Sequence, residues 1–354
     1  MPETVFVAMS GGVDSSVAAL ILVEQGHRVT GVTLRLYDSC GAPVSRGCCA
    51  LEDAADARAV ARTLGIEHRV LEYQAPFERE VIGPFVAAYA SGRTPNPCIA
   101  CNERVKFGAL WNYVLANGAD RLATGHHARL VEAGGRVDLR RAADRDKDQS
   151  YVLFTLSLEQ RKRVLFPAGD LTKETLRAKA RAAGLPTADK RESQDICFVG
   201  DGRYAEFVEK RLPEVRPGIV RHVGGRALGT HGGVHRFTVG QRQGLGIPYT
   251  EPLYVVAVDA DSAEVTVGPR SALDTPSFVT EGWNWHFPEG QRPAEARVQV
   301  RYRQEPRPAR LVEAPGGLVV TWQAQPQCVT PGQAAVAYLD DTVVGGGWIA
   351  GGRA

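Results

Sequence analysis

Residues 10–16 have the sequence SGGVDSS and hold the residue types that bind a phosphate group. The apolar run 5–9 precedes them and a second apolar run, 17–22, follows, which predicts a buried strand, a tight glycine turn and a helix. Backbone N–H groups at such a turn lie at the positive end of a helix dipole and bind anions. Because no Lys follows the glycines, the segment is not the GxxxxGK(S/T) loop of ordinary NTPases. A plain serine cap after a glycine turn is the structural alternative.

Seven cysteines, at positions 40, 48, 49, 98, 101, 197 and 328, form the second group that could do chemistry. An odd number favours reduced, reactive or metal-bound thiols over a disulfide framework. Cys98 and Cys101 lie in a proline-rich loop that leads into a helix. We expect Cys101 at the start of that helix, where the dipole lowers the pKa of a thiol. We interpret Cys40, Cys48 and Cys49 as buried, with a metal site as the alternative.

The 354-residue chain has 44% hydrophobic and 23% charged residues, as soluble globular proteins do, and its length predicts two or three domains. We expect a cytoplasmic protein without a membrane span, because no apolar run approaches membrane-spanning length. The net charge of +2 excludes no partner, but residues 203–242 hold eight Arg or Lys against three Glu. A second basic cluster lies within 297–310. Such patches favour a polyanion as partner, with a solvated arginine surface as the alternative.

The first half of the chain alternates strand and helix patterns. Strands are predicted at 5–9, 28–36, 66–71 and 120–123, and helices at 17–22, 51–64, 77–90 and 105–116. This order predicts an α/β fold with a parallel sheet, in which ligands bind beyond the carboxyl ends of the strands. A hairpin at 130–139 and a helix at 170–183, begun by Asp170, follow.

The second half has a different character, with many glycines and prolines after about residue 205. Short β-branched runs recur from 253 to 338 and predict a C-terminal antiparallel β-barrel. Trp283 and Trp285 alternate as the core residues of a strand do. We predict three domains: a nucleotide-binding domain at 1–205, a small central domain at 206–270 and the barrel at 271–354.

Several further motifs occur in order along the chain. They are TPNPCIACNERVKFG at 94–108, ATGHHAR at 123–129, DKDQSY at 146–151, SQDICFVG at 193–200, FTVGQRQGLG at 237–246, RYRQ at 301–304 and PGQ at 331–333. Together with the SGGVDSS loop, they resemble the bacterial tRNA-specific 2-thiouridylases, a family of ATP pyrophosphatases with a phosphate-binding PP-loop. The resemblance implies a PP-loop catalytic domain, a central domain that contacts tRNA and a C-terminal β-barrel.

The resemblance also implies an activity. ATP adenylates the C2 oxygen of the wobble uridine, position 34, in the tRNA anticodon loop; sulfur then replaces that oxygen, and AMP and pyrophosphate are released. The implied cofactor is ATP with Mg²⁺, and the implied partners are tRNA and a persulfide-carrying sulfur-relay protein or cysteine desulfurase. By position, Cys197 matches the persulfide-bearing cysteine and Cys101 the nucleophile, and the two can finish as a disulfide.

The same motifs place further residues in binding roles. Asp14 matches an ATP-binding residue, and we also expect it to be catalytic. The other positions that match ATP-binding residues are Ala8, Met9, Ser10, Gly11, Gly12, Val13, Ser15, Leu34 and Gly125. Those that match tRNA-contacting residues are Asn96, Pro97, Cys98, His126, Lys147, Asp148, Gln149, Arg301, Tyr302 and Gln333. We interpret His127 and Cys328 as structural.

Cys98 departs from the family pattern, in which Asp often occupies this position as a general base. Cys98, Cys101 and Cys197 could instead hold a 4Fe–4S cluster that accepts sulfur, or a zinc ion for which no fourth ligand is evident. Two other functions stay open at this point: a PP-loop ligase that transfers no sulfur, and a non-catalytic tRNA-binding protein with a vestigial ATP site. The intact Asp14 argues against the latter.

Overall fold

The computed structural model describes residues 1–37, 51–191, 196–199 and 203–352. The interpretation of Cys40, Cys48 and Cys49 lies outside these residues. The chain divides into two compact units. The first comprises Met1–Val81, Cys98–Gly202 and Asp341–Val343, and the second Ile82–Pro97, Arg203–Asp340 and Val344–Ala354. Within the described ranges, no helix is both long and apolar enough to cross a membrane.

A parallel sheet forms the centre of the first unit. Its strands are β1 (Thr4–Ala8), β2 (Arg28–Arg35), β3 (Glu67–Glu72), β4 (Arg121–Thr124) and β7 (Val164–Leu165), in the order β3-β2-β1-β4-β7. The apolar side chains of Val5 and Val7 are fully buried in the central strand, β1. The strand order reverses between β1 and β4, and ligands of such sheets bind at this point, beyond the carboxyl ends of the strands. The predicted α/β fold is confirmed.

Nine helices occur in the described residues. They are α1 (Val13–Glu24), α2 (Leu51–Leu64), α3 (Gln74–Phe77), α4 (Gly83–Ala90), α5 (Pro97–Ala100), α6 (Trp111–Ala116), α7 (Leu158–Arg163), α8 (Lys173–Ala182) and α9 (Tyr204–Glu209). One π-helical stretch, Glu78–Ile82, lies between α3 and α4, and another, Cys101–Leu110, between α5 and α6. Helix α1 is apolar on almost every side because it is buried in the core of the first unit, where it packs against Leu176 and Ala180 of α8.

Four helices begin at other residues than predicted. The helix expected at 17–22 begins at Val13, and the one expected at 77–90 begins at Gln74. The helix expected at 105–116 begins at Pro97, because the missing N–H and fixed φ of proline suit a first turn. The helix expected to begin at Asp170 begins at Lys173 instead. The reason is that the Thr172 hydroxyl caps it by accepting a backbone N–H of its first turn.

The predicted hairpin is confirmed by strands β5 (Ala128–Ala133) and β6 (Arg136–Arg141). Gly134 and Gly135 connect them with φ angles of +56° and +80°, as a two-residue turn of the hairpin type requires.

The second unit contains a four-stranded sheet and a barrel. The sheet is formed by β8 (Gly218–His222), β9 (Ala227–His231), β10 (Tyr254–Asp259) and β11 (Glu264–Gly268), in the order β10-β11-β8-β9. The barrel strands are β12 (Ser277–Trp285), β13 (Glu295–Gln299), β14 (Arg307–Ala314), β15 (Gly317–Trp322), β16 (Ala334–Leu339) and β17 (Thr342–Gly352). They run antiparallel, and the pairing of β12 with β17 closes the barrel. Trp283 and Trp285 pack against its core, as their alternation predicted.

Candidate nucleotide site and cysteine segments

The glycine loop lies between the end of β1 and the start of α1, at the predicted place. Its shape depends on Gly11, whose φ is +71° and where a Cβ would lie 2.3 Å from the carbonyl oxygen of Asp53. The Ser15 and Ser16 hydroxyls both donate to the carbonyl oxygen of Gly12, at 3.1 and 2.8 Å. These internal hydrogen bonds fix the loop, which leaves the backbone N–H groups of the first turn of α1 as the donors for an anion.

Gly125 follows β4 and touches the start of α1. A Cβ at this position would lie 2.5 Å from the backbone nitrogen of Ser15 and 2.6 Å from the carbonyl carbon of Asp14. The segments after β1 and after β4 therefore meet backbone to backbone, at the point where the strand order reverses. Leu34, the other predicted ATP-binding position outside the loop, lies in β2 and pairs with Leu71 of β3.

We predict that Gly125→Ala raises the KM for ATP and destabilises the protein by about 1–3 kcal/mol, because the new methyl group must push on the backbone of α1. The control is Gly229→Ala in the edge strand β9, where no heavy atom lies within 4 Å of the new Cβ. Thermal unfolding and ATP-dependence of the rate measure both effects. If the two variants had the same thermal stability and the same KM for ATP, the result would contradict a close contact between Gly125 and the backbone of α1.

Asp14, in the first turn of α1, is paired with Lys173, the first residue of α8. The Lys173 ammonium lies 2.7 and 2.8 Å from the two carboxylate oxygens of Asp14, and His127 Nε2 lies 3.2 Å from Oδ1. Burial raises the pKa of Asp14, but the contact with His127 and the charge of Lys173 outweigh it and hold that pKa below its usual value. Asp14 is therefore an anion beside the loop.

Lys173 is the site residue that sequence reasoning missed. It lies 159 positions from Asp14 in the chain, yet it brings to the loop the positive charge that the SGGVDSS segment lacks. A cation in the first turn of a helix opposes the helix dipole, so a lysine at this position needs a reason other than helix stability. That mismatch was the signal available in the sequence.

His126 is buried, with 8% of its surface exposed. Its Nδ1 lies 2.7 Å from the Thr124 hydroxyl, and its ring packs against Phe107 and Phe166. Burial lowers the pKa of His126 well below its usual value, so the ring is neutral at physiological pH. The described contacts of this predicted tRNA-contacting residue are all with the first unit.

The neutral state of His126 predicts a pH dependence of stability. Below about pH 6.5 the unfolded chain binds a proton at this histidine that the folded chain does not, so stability falls as the pH falls. Between pH 8 and pH 5.5, the free energy of unfolding should fall by about 1 kcal/mol less in the His126→Gln variant than in the unmodified protein. Urea unfolding at both pH values measures the difference, and identical losses would contradict a buried neutral ring.

Cys98 and Cys101 lie on the helical stretch that begins at Pro97. Cys98 is exposed and Cys101 is half-buried, while Asn102 is buried and donates from Nδ2 to the carbonyl oxygen of Val152. The prediction that Cys101 stands at the helix start is wrong, because the helix begins four residues earlier. The dipole argument, which holds for the first turn, applies to Cys98. A π-helical stretch such as the one that begins at Cys101 is frequent at functional sites.

Cys197 is half-buried and is held through its neighbours. The Tyr37 hydroxyl donates to the carbonyl oxygen of Cys197 at 2.5 Å, and Phe198 packs edge-on against Phe77 with ring centroids 5.7 Å apart. Tyr37 lies two residues beyond the end of β2, the parallel neighbour of β1. Cys197 therefore lies at the carboxyl edge of the sheet, the edge that carries the glycine loop.

The three cysteines do not form a metal site in the described part of the chain. No group of three or more His, Cys, Asp or Glu side chains there is placed to hold a metal ion. In the described residues, Cys98, Cys101 and Cys197 are thus not gathered as three ligands of the cluster or of the zinc ion.

The remaining predicted tRNA-contacting residues differ in their surroundings. The Asp148 carboxylate accepts hydrogen bonds from Arg141 and Ser150, and Gln149 Oε1 accepts the backbone N–H of His127, so both side chains support the loop around them. Lys147 is half-buried on the same turn. In the second unit, Asn96 is half-buried and Tyr302 is 39% exposed. Arg301 Nη2 donates to Thr330 Oγ1 at 3.0 Å and to the carbonyl oxygen of Val239 at 3.3 Å.

A glycine loop after the first strand of a parallel sheet, with a half-buried acid–lysine pair beside it, defines a nucleotide-binding α/β domain of the PP-loop class. Family profiles match three successive segments of the chain. They are described as the tRNA methyl transferase HUP domain (residues 3–201), the tRNA methyl transferase PRC-barrel domain (205–269) and the aminomethyltransferase beta-barrel domain (275–349).

Curated relatives match along almost the whole chain. Proteins named tRNA-specific 2-thiouridylase MnmA are 48% identical in Syntrophotalea carbinolica (98% of each chain) and 46% identical in Geotalea uraniireducens (98% of this chain, 95% of that one). The chain belongs to the tRNA-specific 2-thiouridylase family, as the ordered motifs predicted. Among solved structures, a 4-thiouridine synthetase–RNA complex with bound ATP is a distant match, with 17% identity, a TM-score of 0.38 and coverage of 60% of this chain and 50% of that one.

Proposed function

We propose that this protein transfers sulfur, at the expense of ATP, to C2 of the wobble uridine (position 34) of tRNA. The observation that carries the proposal is the position of Cys197 at the carboxyl edge of the sheet, where the glycine loop also lies. A nucleotide-binding domain needs no thiol there, whereas an enzyme that activates a base with ATP and then delivers sulfur to it does. The names of the full-length relatives agree with this reaction.

The first step is the activation of the base. Backbone N–H groups of the glycine loop bind the phosphates that leave as pyrophosphate, and Lys173 neutralises the charge that develops on them. Mg²⁺ accompanies ATP, and the anionic Asp14 offers it an oxygen ligand of the kind it prefers. The C2 oxygen of the uridine attacks the α-phosphorus, the bond from the α-phosphorus to the β-phosphate oxygen breaks, and the base becomes an adenylate.

The second step replaces oxygen with sulfur. The terminal sulfur of a persulfide on Cys197 attacks C2, and AMP leaves with the former C2 oxygen. The Cys101 thiolate then attacks Cys197 Sγ, which releases the sulfur to the base and forms a Cys101–Cys197 disulfide. An external thiol reduces that disulfide, and a persulfide-carrying relay protein or a cysteine desulfurase reloads Cys197.

In this proposal all three domains take part in binding tRNA. The catalytic domain at 1–205 handles ATP and the base, and the central domain at 206–270 and the barrel at 271–354 hold the RNA. Residues proposed to contact tRNA are Asn96, Pro97, Cys98, His126, Lys147, Asp148, Gln149, Arg301 and Tyr302. Because Lys147, Arg301 and the basic clusters at 203–242 and 297–310 supply cations for the phosphates, binding weakens as salt rises.

The test is an anaerobic incubation of unmodified tRNA with the protein, ATP, dithiothreitol, and a cysteine desulfurase with cysteine as the persulfide donor, followed by nucleoside analysis. The proposal expects one 2-thiouridine and one AMP per turnover. A parallel incubation with S-adenosylmethionine tests the methyl transfer that the family descriptions name. A ligase without sulfur chemistry would release AMP but form no 2-thiouridine, and a tRNA-binding protein with a vestigial site would bind tRNA without releasing pyrophosphate.

A further inference from the structure

Residues of the barrel, together with Thr238, hold the loop that precedes Cys98, and all of these contacts lie inside the second unit. The backbone N–H of Thr94 donates to the carbonyl oxygen of Pro331 at 2.9 Å. The side-chain amide of Gln333 donates to the carbonyl oxygens of Thr94 and Pro95, at 3.0 and 3.3 Å. The hydroxyl of Thr94 donates to the hydroxyl of Thr238 at 3.2 Å. Three backbone groups and one hydroxyl of the loop are thus held by hydrogen bonds.

The barrel side of this contact is itself rigid. Gly332 has a φ of +90°, and a Cβ there would lie 2.9 Å from the carbonyl oxygen of Thr94. Its N–H donates to the carbonyl oxygen of Ile349 in β17, and the N–H of Ile349 donates to the carbonyl oxygen of Gln333. The turn and the loop therefore approach backbone to backbone, with glycine at the one position where a side chain would separate them.

The chain between Thr94 and Cys98 has little freedom to absorb a shift. Pro95 and Pro97 have their φ angles fixed by their rings, and the helix that carries Cys98 and Cys101 begins at Pro97. A displacement of the loop at Thr94 is therefore passed on to the start of that helix.

We propose that Gln333 is a positioning residue, which sets the placement of the Cys98–Cys101 segment through Thr94 and Pro95. The proposal rests on the proposed function, in which Cys101 is the nucleophile. It differs from the role implied by the family resemblance, because both N–H bonds of the Gln333 amide are directed at backbone carbonyl oxygens of this chain. Gln333 then affects turnover even when tRNA binds normally.

The experiment compares Gln333→Ala and Gln333→Glu with Gln323→Ala, an exposed glutamine of the same barrel. Peptide-resolved alkylation of Cys98 and Cys101 is measured in the full-length protein without tRNA, together with kcat and the Kd for tRNA. We expect both Gln333 variants to change the alkylation rates about threefold or more, to lower kcat about 10- to 100-fold and to leave Kd unchanged. Gln323→Ala should match the unmodified protein in all three.

A second variant tests the same contact in case the Gln333 variants misfold. Gly332→Ala keeps the amide of Gln333 but crowds the Thr94 carbonyl group, and it should change the alkylation of Cys98 in the same direction. Unchanged alkylation combined with a raised Kd for tRNA would overturn the proposal in favour of direct contact with RNA. If Cys101→Ser still forms 2-thiouridine, the proposed function fails at Cys101, whereas the alkylation result for Gln333 stands independently.

Discussion

Lys173→Ala is expected to lower kcat for 2-thiouridine formation by about 10²–10³-fold, the usual effect of removing one preorganised charge from a developing anion. The Lys173 ammonium touches both oxygens of Asp14, and its side chain is only 12% exposed. When ATP binds, its phosphates bring further negative charge beside Asp14, and Lys173 lies where it offsets that charge together with the loop N–H groups and Mg²⁺. The Kd for tRNA should stay within about twofold of its original value, since the deleted charge faces the nucleotide.

The matched control is Lys179→Ala on the same helix. Lys179 Nζ lies 3.5 Å from Glu24 Oε2 in an exposed ion pair, and exposed ion pairs contribute little to stability. Its loss should leave kcat within about twofold of the original value. A Lys173→Ala protein with near-normal turnover would show that the lysine only balances Asp14 in the unliganded protein.

The second large effect concerns the thiols. Cys197→Ser and Cys101→Ser should each lower 2-thiouridine formation by about 10³-fold or more, because a hydroxyl cannot carry or release persulfide sulfur. Pyrophosphate release should persist in both, since neither thiol takes part in adenylation. Liquid chromatography of digested tRNA and a coupled pyrophosphate assay measure the two steps separately.

Two further cysteine variants help to distinguish sulfur transfer as a persulfide from sulfur transfer through an iron–sulfur cluster. Cys328→Ser should retain full activity, because Cys328 lies in the second unit beside Arg301 and burial raises the pKa of its thiol. Cys98→Ser should remain active if sulfur travels as a persulfide. The other outcome is that activity is proportional to the bound iron content and that the serine variants at 98, 101 and 197 each lose both activity and iron. In that case the thiols are cluster ligands and the role given to Cys101 is wrong.

The elements that the sequence predicted well are those fixed by local patterns. The apolar run of β1, the two glycines after it and the apolar helix α1 are adjacent in the chain, so their order predicts the nucleotide site directly. The hairpin turn at Gly134 was equally local.

What the sequence did not predict depends on contacts between distant segments. Lys173 meets Asp14 only after the sheet has formed, and no spacing rule connects them. The burial of His126 and the support that Gln149 gives to the His127 backbone likewise arise from packing, although the motifs containing them were recognised. The early start of the helix at Pro97 was hidden because an X–Pro pair favours either a loop or a first helical turn.

The most direct test of the account follows the C2 oxygen of the target uridine. A tRNA with ¹⁸O at C2 of position 34 is converted with unlabelled ATP under anaerobic conditions, and the AMP released is analysed by mass spectrometry. The account predicts one ¹⁸O atom in the phosphate of AMP for each 2-thiouridine formed. AMP without the label, formed in step with 2-thiouridine, would contradict activation of the base through its C2 oxygen.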